Sequence, residues 1–223
     1  MKTLQPTDFP VAEDLPLRPT KTLFIGTSGS TFSLTTGIRD VTAVVPAKDT
    51  ELTDAALEEV RSKAASQPAL MTLARAAWYS FKMEARTGDA ASGGVLGSLS
   101  TSLLSMGCWT LSFPADSPHS SHEIEMRPVG IGRRAHVFVQ ESVPYFWDVE
   151  EGAEAGGSGR CVCRLFKVIT AGEDGQKKRR EIARFVARRS RDREGVLLLD
   201  GDAADEVVVG LTCVALLNRL DSF

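Results

Sequence analysis

The sequence lacks both an apolar run long enough to cross a membrane and the hydrophobic centre of a signal peptide. Its most apolar stretch, DEVVVGLTCVALLNRL at 205–220, holds an apolar run about half as long as the roughly 20 residues that a membrane helix needs. The first 21 residues contain four prolines and no hydrophobic segment. These two absences predict a cytoplasmic protein.

Cysteine is scarce, and its spacing is not that of a disulfide framework or a zinc site. The chain has four cysteines, none of them in a C-x-x-C pair: Cys108, Cys161, Cys163 and Cys213. This predicts reduced thiols. Cys161 and Cys163 lie two residues apart and share one face of a strand, where a role as small buried hydrophobic residues is favoured over metal binding. We expect no metal and no cofactor.

Histidine is scarcer still, and no motif marks a catalytic nucleophile. The three histidines are His119, His122 and His136, of which the first two lie in a polar loop. No serine or cysteine motif accompanies them. The glycine-rich IGTSGS at 25–30 lacks the lysine of a phosphate-binding loop, so we interpret it as a turn. Whether the protein is an enzyme is left open by the sequence.

The charge is unevenly distributed along the chain. The net charge is −3, so the molecule as a whole does not attract polyanions. Residues 160–193, however, contain twelve Lys or Arg and four Asp or Glu, a local net of +8, which leaves −11 for the rest. Few aromatic residues interleave with these basic ones and no nucleic-acid-binding motif is present, so nucleic acid is not an expected partner.

The N-terminal half combines an arm, short strands and one helix. Residues 1–20 are rich in proline, which predicts an extended arm preceding a single domain at 21–223. TLFIGTSGSTFSLTTG at 22–37 predicts two strands, and RDVTAVV at 39–45 predicts another β-type run. A helix is expected near residues 51–66, with Thr53 or Asp54 as its cap and its end before Pro68. Leu57, Val60 and Ala64 would lie on one face of it.

Residues 68–105 are harder to assign. ALMTLARAAWYSFKMEAR at 69–86 is compatible with a helix or with two strands. TGDAASGGVLGSLSTSLLSMG at 87–107 is rich in glycine and serine and is predicted to be a long loop.

From Cys108 onward the pattern is that of an antiparallel sheet. Seven short β-type segments follow one another between residues 108 and 201, separated by turn-like sequences such as PADSPHSS, GIGRR and TAGEDGQKK. Exposed sheet edges promote aggregation, so successive antiparallel strands with short loops predict a sheet that curls or closes.

The apolar segment 205–220 predicts what the sheet closes around. Its run of valines favours a strand, but its length exceeds that of an ordinary strand, and charges suited to a helix stand at both ends. These are Asp202 or Asp205 as a cap, Glu206 in the first turn and Arg219 in the last. The helix would have no polar face, so it must be surrounded. The sequence therefore predicts a mainly β protein, a barrel with a hydrophobic helix inside.

The same segments resemble the tubby C-terminal-like superfamily, which includes tubby proteins, LURP-one-related proteins and phospholipid scramblases. The resemblance rests on HVFVQESVPYFWDVE at 136–150, EIARFVARR at 181–189, GVLLLDGD at 195–202 and the terminal segment. It covers roughly residues 105–220 and is greatest with uncharacterised filamentous-fungal members. It implies a closed antiparallel β-barrel of about twelve strands around a buried C-terminal helix; the helix near 51–66 would lie outside.

The basic segment is the candidate ligand site. We interpret GQKKRRE at 175–181 as the basic turn of a hairpin, followed by a strand with Arg184 and Arg188 on the same face as Ile182 and Val186. The candidate residues for an anionic headgroup are Lys177, Lys178, Arg179, Arg180, Arg184 and Arg188. Tubby proteins hold phosphoinositides, so the resemblance implies a protein that binds an anionic lipid headgroup or a membrane surface. An exposed basic face without a ligand explains the pattern equally well.

Two other functions stay open. The protein could be an enzyme of fungal specialised metabolism, a cyclase or isomerase, that binds a small apolar molecule in a pocket at the barrel mouth shaped by Trp109, Tyr145 and Trp147. It could also be an interaction domain without a ligand.

Acidic residues cluster before the terminal helix, in LDGDAADE at 199–206. A Ca²⁺ site could be built from Asp200, Asp202, Asp205 and Glu206, but the spacing is not that of an EF-hand, and helix capping explains the same residues better.

Overall fold

The structure, a computed structural model, describes residues 4–28, 35–45, 52–75, 80–88, 92–102, 107–130, 135–151, 161–171, 175–188 and 194–220. In these ranges the strands are β1 Lys21–Ser28, β2 Thr35–Asp40, β3 Met71–Arg75, β4 Lys82–Thr87, β5 Val95–Thr101, β6 Trp109–Ser112, β7 Ile124–Pro128, β8 His136–Gln140, β9 Val143–Glu151, β10 Cys161–Ala171, β11 Gln176–Ala187 and β12 Gly195–Leu199. The helices are α1 Asp54–Ala64 and α2 Glu206–Leu220, and Pro6–Asp8 form a 3₁₀ turn.

The strands form one closed antiparallel barrel. Each strand pairs with its neighbour in the chain, and β1 closes the ring by pairing with β12, from Lys21 opposite Leu199 to Ile25 opposite Gly195. The described ranges thus contain a closed barrel of twelve strands, so the predicted mainly β fold is confirmed. Every β-type segment expected from Cys108 onward is a strand.

Helix α2 runs through the inside of this barrel, as predicted. Asp205 caps it: one carboxylate oxygen accepts hydrogen bonds from the backbone N–H groups of Val207, at 2.9 Å, and Val208, at 3.0 Å. Leu211 is fully buried and Val214 nearly so, within a cluster that includes inward-facing residues of the barrel strands. A helix that is apolar on every side is stable in water only when surrounded, and here the sheet surrounds it.

Helix α1 lies on the outside of the barrel. Thr53 is its N-cap and accepts a hydrogen bond from the backbone N–H of Ala56 at 3.2 Å. The predicted face of Leu57, Val60 and Ala64 is buried against outward-facing residues of β1, β11 and β12. The prediction of an amphipathic outer helix is confirmed.

In the N-terminal half, the structure contradicts two predictions made from the sequence and decides between two alternatives for a third segment. Residues 41–45 are not a β-type run: they form a turn, in which the N–H of Val45 bonds to the carbonyl of Val41 at 2.8 Å, because these valines fold over to pack beneath α1. Residues 87–107 are not simply a loop, since Val95–Thr101 is β5, with Leu99 buried inside the barrel. Of the two readings of 69–86, two strands are present, β3 and β4.

The N-terminal arm runs along the outer surface of the barrel. The Phe9 ring packs on Phe146 with ring centroids 5.8 Å apart, and Leu17 is buried in the cluster beneath α1. Residues 4–20 therefore cover apolar positions on the outward face of the sheet.

Within the described residues, neither helix has the length and apolar character needed to cross a bilayer.

Candidate functional site

The β10–β11 hairpin is longer than the strands on either side of it. Strand β9 accompanies β10 only as far as the pair Tyr145–Lys167, and β12 accompanies β11 only from Ala183 onward. Beyond those points β10 and β11 pair with each other, up to Ala171 opposite Gln176. We call residues 168–171 together with 175–180 the hairpin extension. It projects past the end of the barrel at which α2 begins.

The predicted basic turn is part of a strand. Gly175 has a positive φ of 65° and ends the turn, and β11 begins at the next residue, so Lys177, Lys178, Arg179 and Arg180 lie in the extension as paired strand residues. Successive side chains of a strand point to opposite faces. The basic residues therefore alternate between two faces instead of forming one cluster at a turn.

A bulge in β11 changes which residues share a face. Leu165 is paired with Ala183 and Phe166 with Glu181, so Ile182 is an extra residue. Ile182 and Ala183 are both buried inside the barrel. The expectation that Ile182 lies on the face of Arg184 is thus wrong, because the bulge shifts the alternation by one residue.

Two of the candidate arginines in the extension are engaged by neighbouring side chains. The guanidinium of Arg180 donates to the carboxylate of Asp200 at 2.6 Å, and that carboxylate is buried. Arg179 lies over the Phe166 ring, 4.7 Å from its centroid, with one guanidinium nitrogen 4.0 Å from the carboxylate of Asp148. Both guanidinium groups therefore lie against neighbouring side chains of the barrel.

The other two candidate arginines lie well away from the hairpin tip. Arg184 donates to both carboxylate oxygens of Glu181, at 2.6 and 3.0 Å, and Arg188 donates to Glu58 of α1 at 2.7 Å. At about 3.3 Å per residue, Arg188 is about 35 Å along the strand from Lys177. The six candidates therefore do not converge on one headgroup.

Lys177 and Lys178 have a different environment. Lys177 is exposed and Lys178 is half-buried, on opposite faces of the extension. Among the described residues, no carboxylate forms an ion pair with either ammonium group. Glu173 and Asp174 lie just before them in the sequence and are outside the described residues.

The segment between β12 and α2 connects the start of the helix to the surrounding strands and loops by hydrogen bonds and an ion pair. The backbone carbonyl of Ala203 accepts from the ammonium of Lys167 at 2.8 Å, and the carboxylate of Asp205 lies 2.9 Å from Nδ1 of His119. Glu206 forms an ion pair with Lys21 of β1. This segment and the first residue of α2 thereby contact β1, β10 and the loop between β6 and β7.

The same contacts account for most of the acidic cluster. Asp200 pairs with Arg180, Asp205 caps α2, and Glu206 pairs with Lys21. Across the described ranges, no group of three or more His, Cys, Asp or Glu is arranged to hold a metal ion. Helix capping, the preferred interpretation, is confirmed for Asp205.

The aromatic residues proposed to shape a pocket belong to the cluster around α2. Trp147 is fully buried and its indole N–H donates to the hydroxyl of Thr212 on α2 at 3.1 Å. Tyr145 is stacked on Phe138 with ring centroids 4.9 Å apart. Burial, assisted by the carboxylate of Glu141, raises the pKa of Tyr145. Trp109 is buried in the same cluster.

The thiols and the remaining histidines pack or bond locally. The sulfur atoms of Cys161 and Cys163 are 3.7 Å apart inside the barrel, and this contact together with burial raises the pKa of Cys163. Burial raises the pKa of Cys213 on α2. His136 is buried, and His122 is exposed. The predicted role of Cys161 and Cys163 as buried residues is confirmed.

Sequence reasoning missed Lys21 and Lys167, and it assigned no partner to His119. All three contact residues that are distant in the chain, so no local pattern could identify them. The one signal in the sequence is the acidic segment 199–206 that they contact, which is interpreted as a helix cap in preference to a Ca²⁺ site.

Comparisons of the chain with protein-family models, curated proteins and solved structures find no match. The relationship to the tubby C-terminal-like superfamily therefore stays a prediction.

Proposed function

We propose that this barrel is a cytoplasmic protein that binds anionic lipid surfaces through its hairpin extension, with Lys177 and Lys178 as the contacting cations. The observation that carries the proposal is the difference between these two lysines and the four candidate arginines. Each arginine faces a carboxylate, whereas no described carboxylate pairs with either lysine.

The form of the extension favours a surface over a small soluble ligand. Its two lysines are on opposite faces of the paired strands β10 and β11, so they do not enclose a pocket. A lipid surface presents anionic groups over a wide area and can contact both faces of this strand pair. Each lysine near an anionic membrane contributes about 1 kcal/mol to binding, which makes the contact weak and dependent on ionic strength.

The resemblance to the tubby-like superfamily supports phosphoinositides as the first lipids to test. The proposed contact is narrower than the set of six basic residues that the sequence suggested, since it excludes the four arginines, Arg179, Arg180, Arg184 and Arg188.

The test is co-sedimentation with phosphatidylcholine vesicles containing a few per cent phosphoinositide. We expect Lys177→Glu/Lys178→Glu to weaken binding at least about 30-fold, because two contributions of about 1 kcal/mol are lost and replaced by repulsion. Binding of the unaltered protein should fall as salt is added and vanish on pure phosphatidylcholine.

The matched control is Arg75→Glu/Lys82→Glu, which makes the same change in net charge at exposed positions of β3 and β4. It should bind like the unaltered protein. Equal binding by the two double variants would overturn the proposal. Glu173→Gln/Asp174→Asn should tighten binding several-fold, because acidic groups beside Lys177 in the sequence oppose an anionic surface.

An enzyme acting on an apolar molecule has less support. Trp109, Tyr145 and Trp147 pack in the same cluster as α2, so a substrate among them would have to displace the helix. No observation favours that function over lipid binding.

A further inference from the structure

We propose that Val11 of the N-terminal arm is part of the same lipid contact, so that the arm and the hairpin extension together form a surface that inserts an aliphatic side chain into a bilayer. The inference rests on the proposed function, and it commits the ligand to a bilayer rather than a free headgroup.

The arm is joined to the extension by main-chain hydrogen bonds. The N–H of Arg179 donates to the carbonyl of Pro10, and the N–H of Ala12 donates to the carbonyl of Arg179, each at 2.9 Å. These two bonds form a parallel β-bridge between Val11 and Arg179. Strand β12 pairs with β11 from Ala183 onward, and the arm pairs with β11 at Arg179, beyond the end of β12. The backbone of Val11 is therefore fixed.

Val11 is on the outward face of the extension. Paired residues of adjacent strands point to the same face, and Arg179 points outward over Phe166. Lys177 shares that face and is two residues, about 7 Å, nearer the tip. Val11 is 42% exposed although main-chain hydrogen bonds fix its backbone, so its side chain is available at the surface beside the extension.

The opposite face of the extension also has an aliphatic side chain near a lysine. Ile169 is the direct cross-strand partner of Lys178, and it is only partly buried. Lys178 thus has an aliphatic residue directly across from it, and Lys177 has Val11 on the same face, beside Arg179 two residues away. This arrangement suits the membrane interface, where ammonium groups meet phosphates while aliphatic groups enter the boundary of the acyl region.

A serine at position 11 removes the aliphatic contact but keeps the backbone and the charge. We expect Val11→Ser to weaken binding to the phosphoinositide vesicles about five-fold, in line with the loss of a small buried apolar area. Binding to phosphocellulose, which presents an anionic surface without a bilayer, should be unchanged.

The matched control is Val95→Ser, at a valine that is 46% exposed on β5, across the barrel from β11. It should change neither binding reaction, and thermal unfolding should show that both serine variants are folded. A loss of binding to both ligands in Val11→Ser would overturn the bilayer contact, because the arm would then act through the hairpin.

The outcomes separate this inference from the proposed function. If Lys177→Glu/Lys178→Glu weakens vesicle binding while Val11→Ser does not, the inference fails and the proposed function stands. If neither variant weakens it, both fail.

Discussion

The two α-helices of the described chain have similar ends and opposite surroundings. Helix α1 has Thr53 as its N-cap and Arg61 and Lys63 in its last turn. Helix α2 has Asp205 as its N-cap and Arg219 in its last turn. Both patterns suit the helix dipole. Yet α1 lies on the outside of the barrel and α2 runs inside it.

What differs is the middle of each helix. Three of the eleven residues of α1 are buried and the rest face solvent or are half-exposed. In α2 every residue from Val207 to Leu217 is buried. Capping and end charges thus decide where a helix begins and ends, and the presence or absence of a polar face decides whether it covers a sheet or is surrounded by one.

The strongest test of this difference is a charge in the middle of α2. Leu211→Asp should prevent folding, because Leu211 is fully buried and the carboxylate would have no partner among the apolar side chains around it. Loss of the cooperative transition in circular dichroism and rapid alkylation of Cys213 would report it.

Ser62→Asp places the same charge on the exposed face of α1 and should leave the protein folded. A soluble Leu211→Asp protein that unfolds cooperatively would mean that α2 is not the centre of the barrel.

Truncation of a leucine should lower the free energy of unfolding more in α2 than in α1. Leu216→Ala in α2 is expected to lower the free energy of unfolding by about 4 kcal/mol, and Leu57→Ala in α1 by about 2 kcal/mol. Leu216 is completely buried inside the barrel, whereas Leu57 is on the inner face of α1, an outer helix that can move into the space left. Urea denaturation measures both values, and equal losses would contradict the comparison.

The smallest expected effect is at the caps. Asp205→Ala removes the acceptor for two backbone N–H groups and the contact with His119, and should cost about 2 kcal/mol. Thr53→Ala removes an acceptor for one N–H and should cost about 1 kcal/mol. Chemical denaturation of both variants tests the order; a larger loss from Thr53→Ala would show that the contacts at the barrel rim add nothing to the cap.

The sequence predicts the fold well wherever the apolar residues of a segment recur with a clear period, or cover every side of a helix. Helix α2 could be placed inside a sheet because it has no polar face. Strand β5 was missed because Gly97, Ser98 and Ser100 give it little strand propensity; it is a strand because the closed barrel needs a partner for β4 and β6 at that place. The turn at Val41–Val45 was missed because burial beneath α1 outweighs the strand propensity of valine.

The candidate site was harder to predict, for two physical reasons. The bulge at Ile182 reverses the alternation of β11, and nothing in the local sequence marks it. The carboxylates that engage the arginines, such as Asp148 and Glu58, come from distant parts of the chain. A run of basic residues in a sequence therefore gives the total charge of a surface but not the part of it that is free to bind.

The position of α2 after every described strand has a consequence for how the protein forms during synthesis. Translation proceeds at about 5–20 residues per second, so the strands exist for seconds before the helix that fills them. Strand β1 must also wait for β12, its partner across almost the whole described chain. In that interval the sheet has open edges and an uncovered apolar face, both of which favour aggregation. The new chain is therefore most exposed to aggregation between the synthesis of β1 and the enclosure of α2.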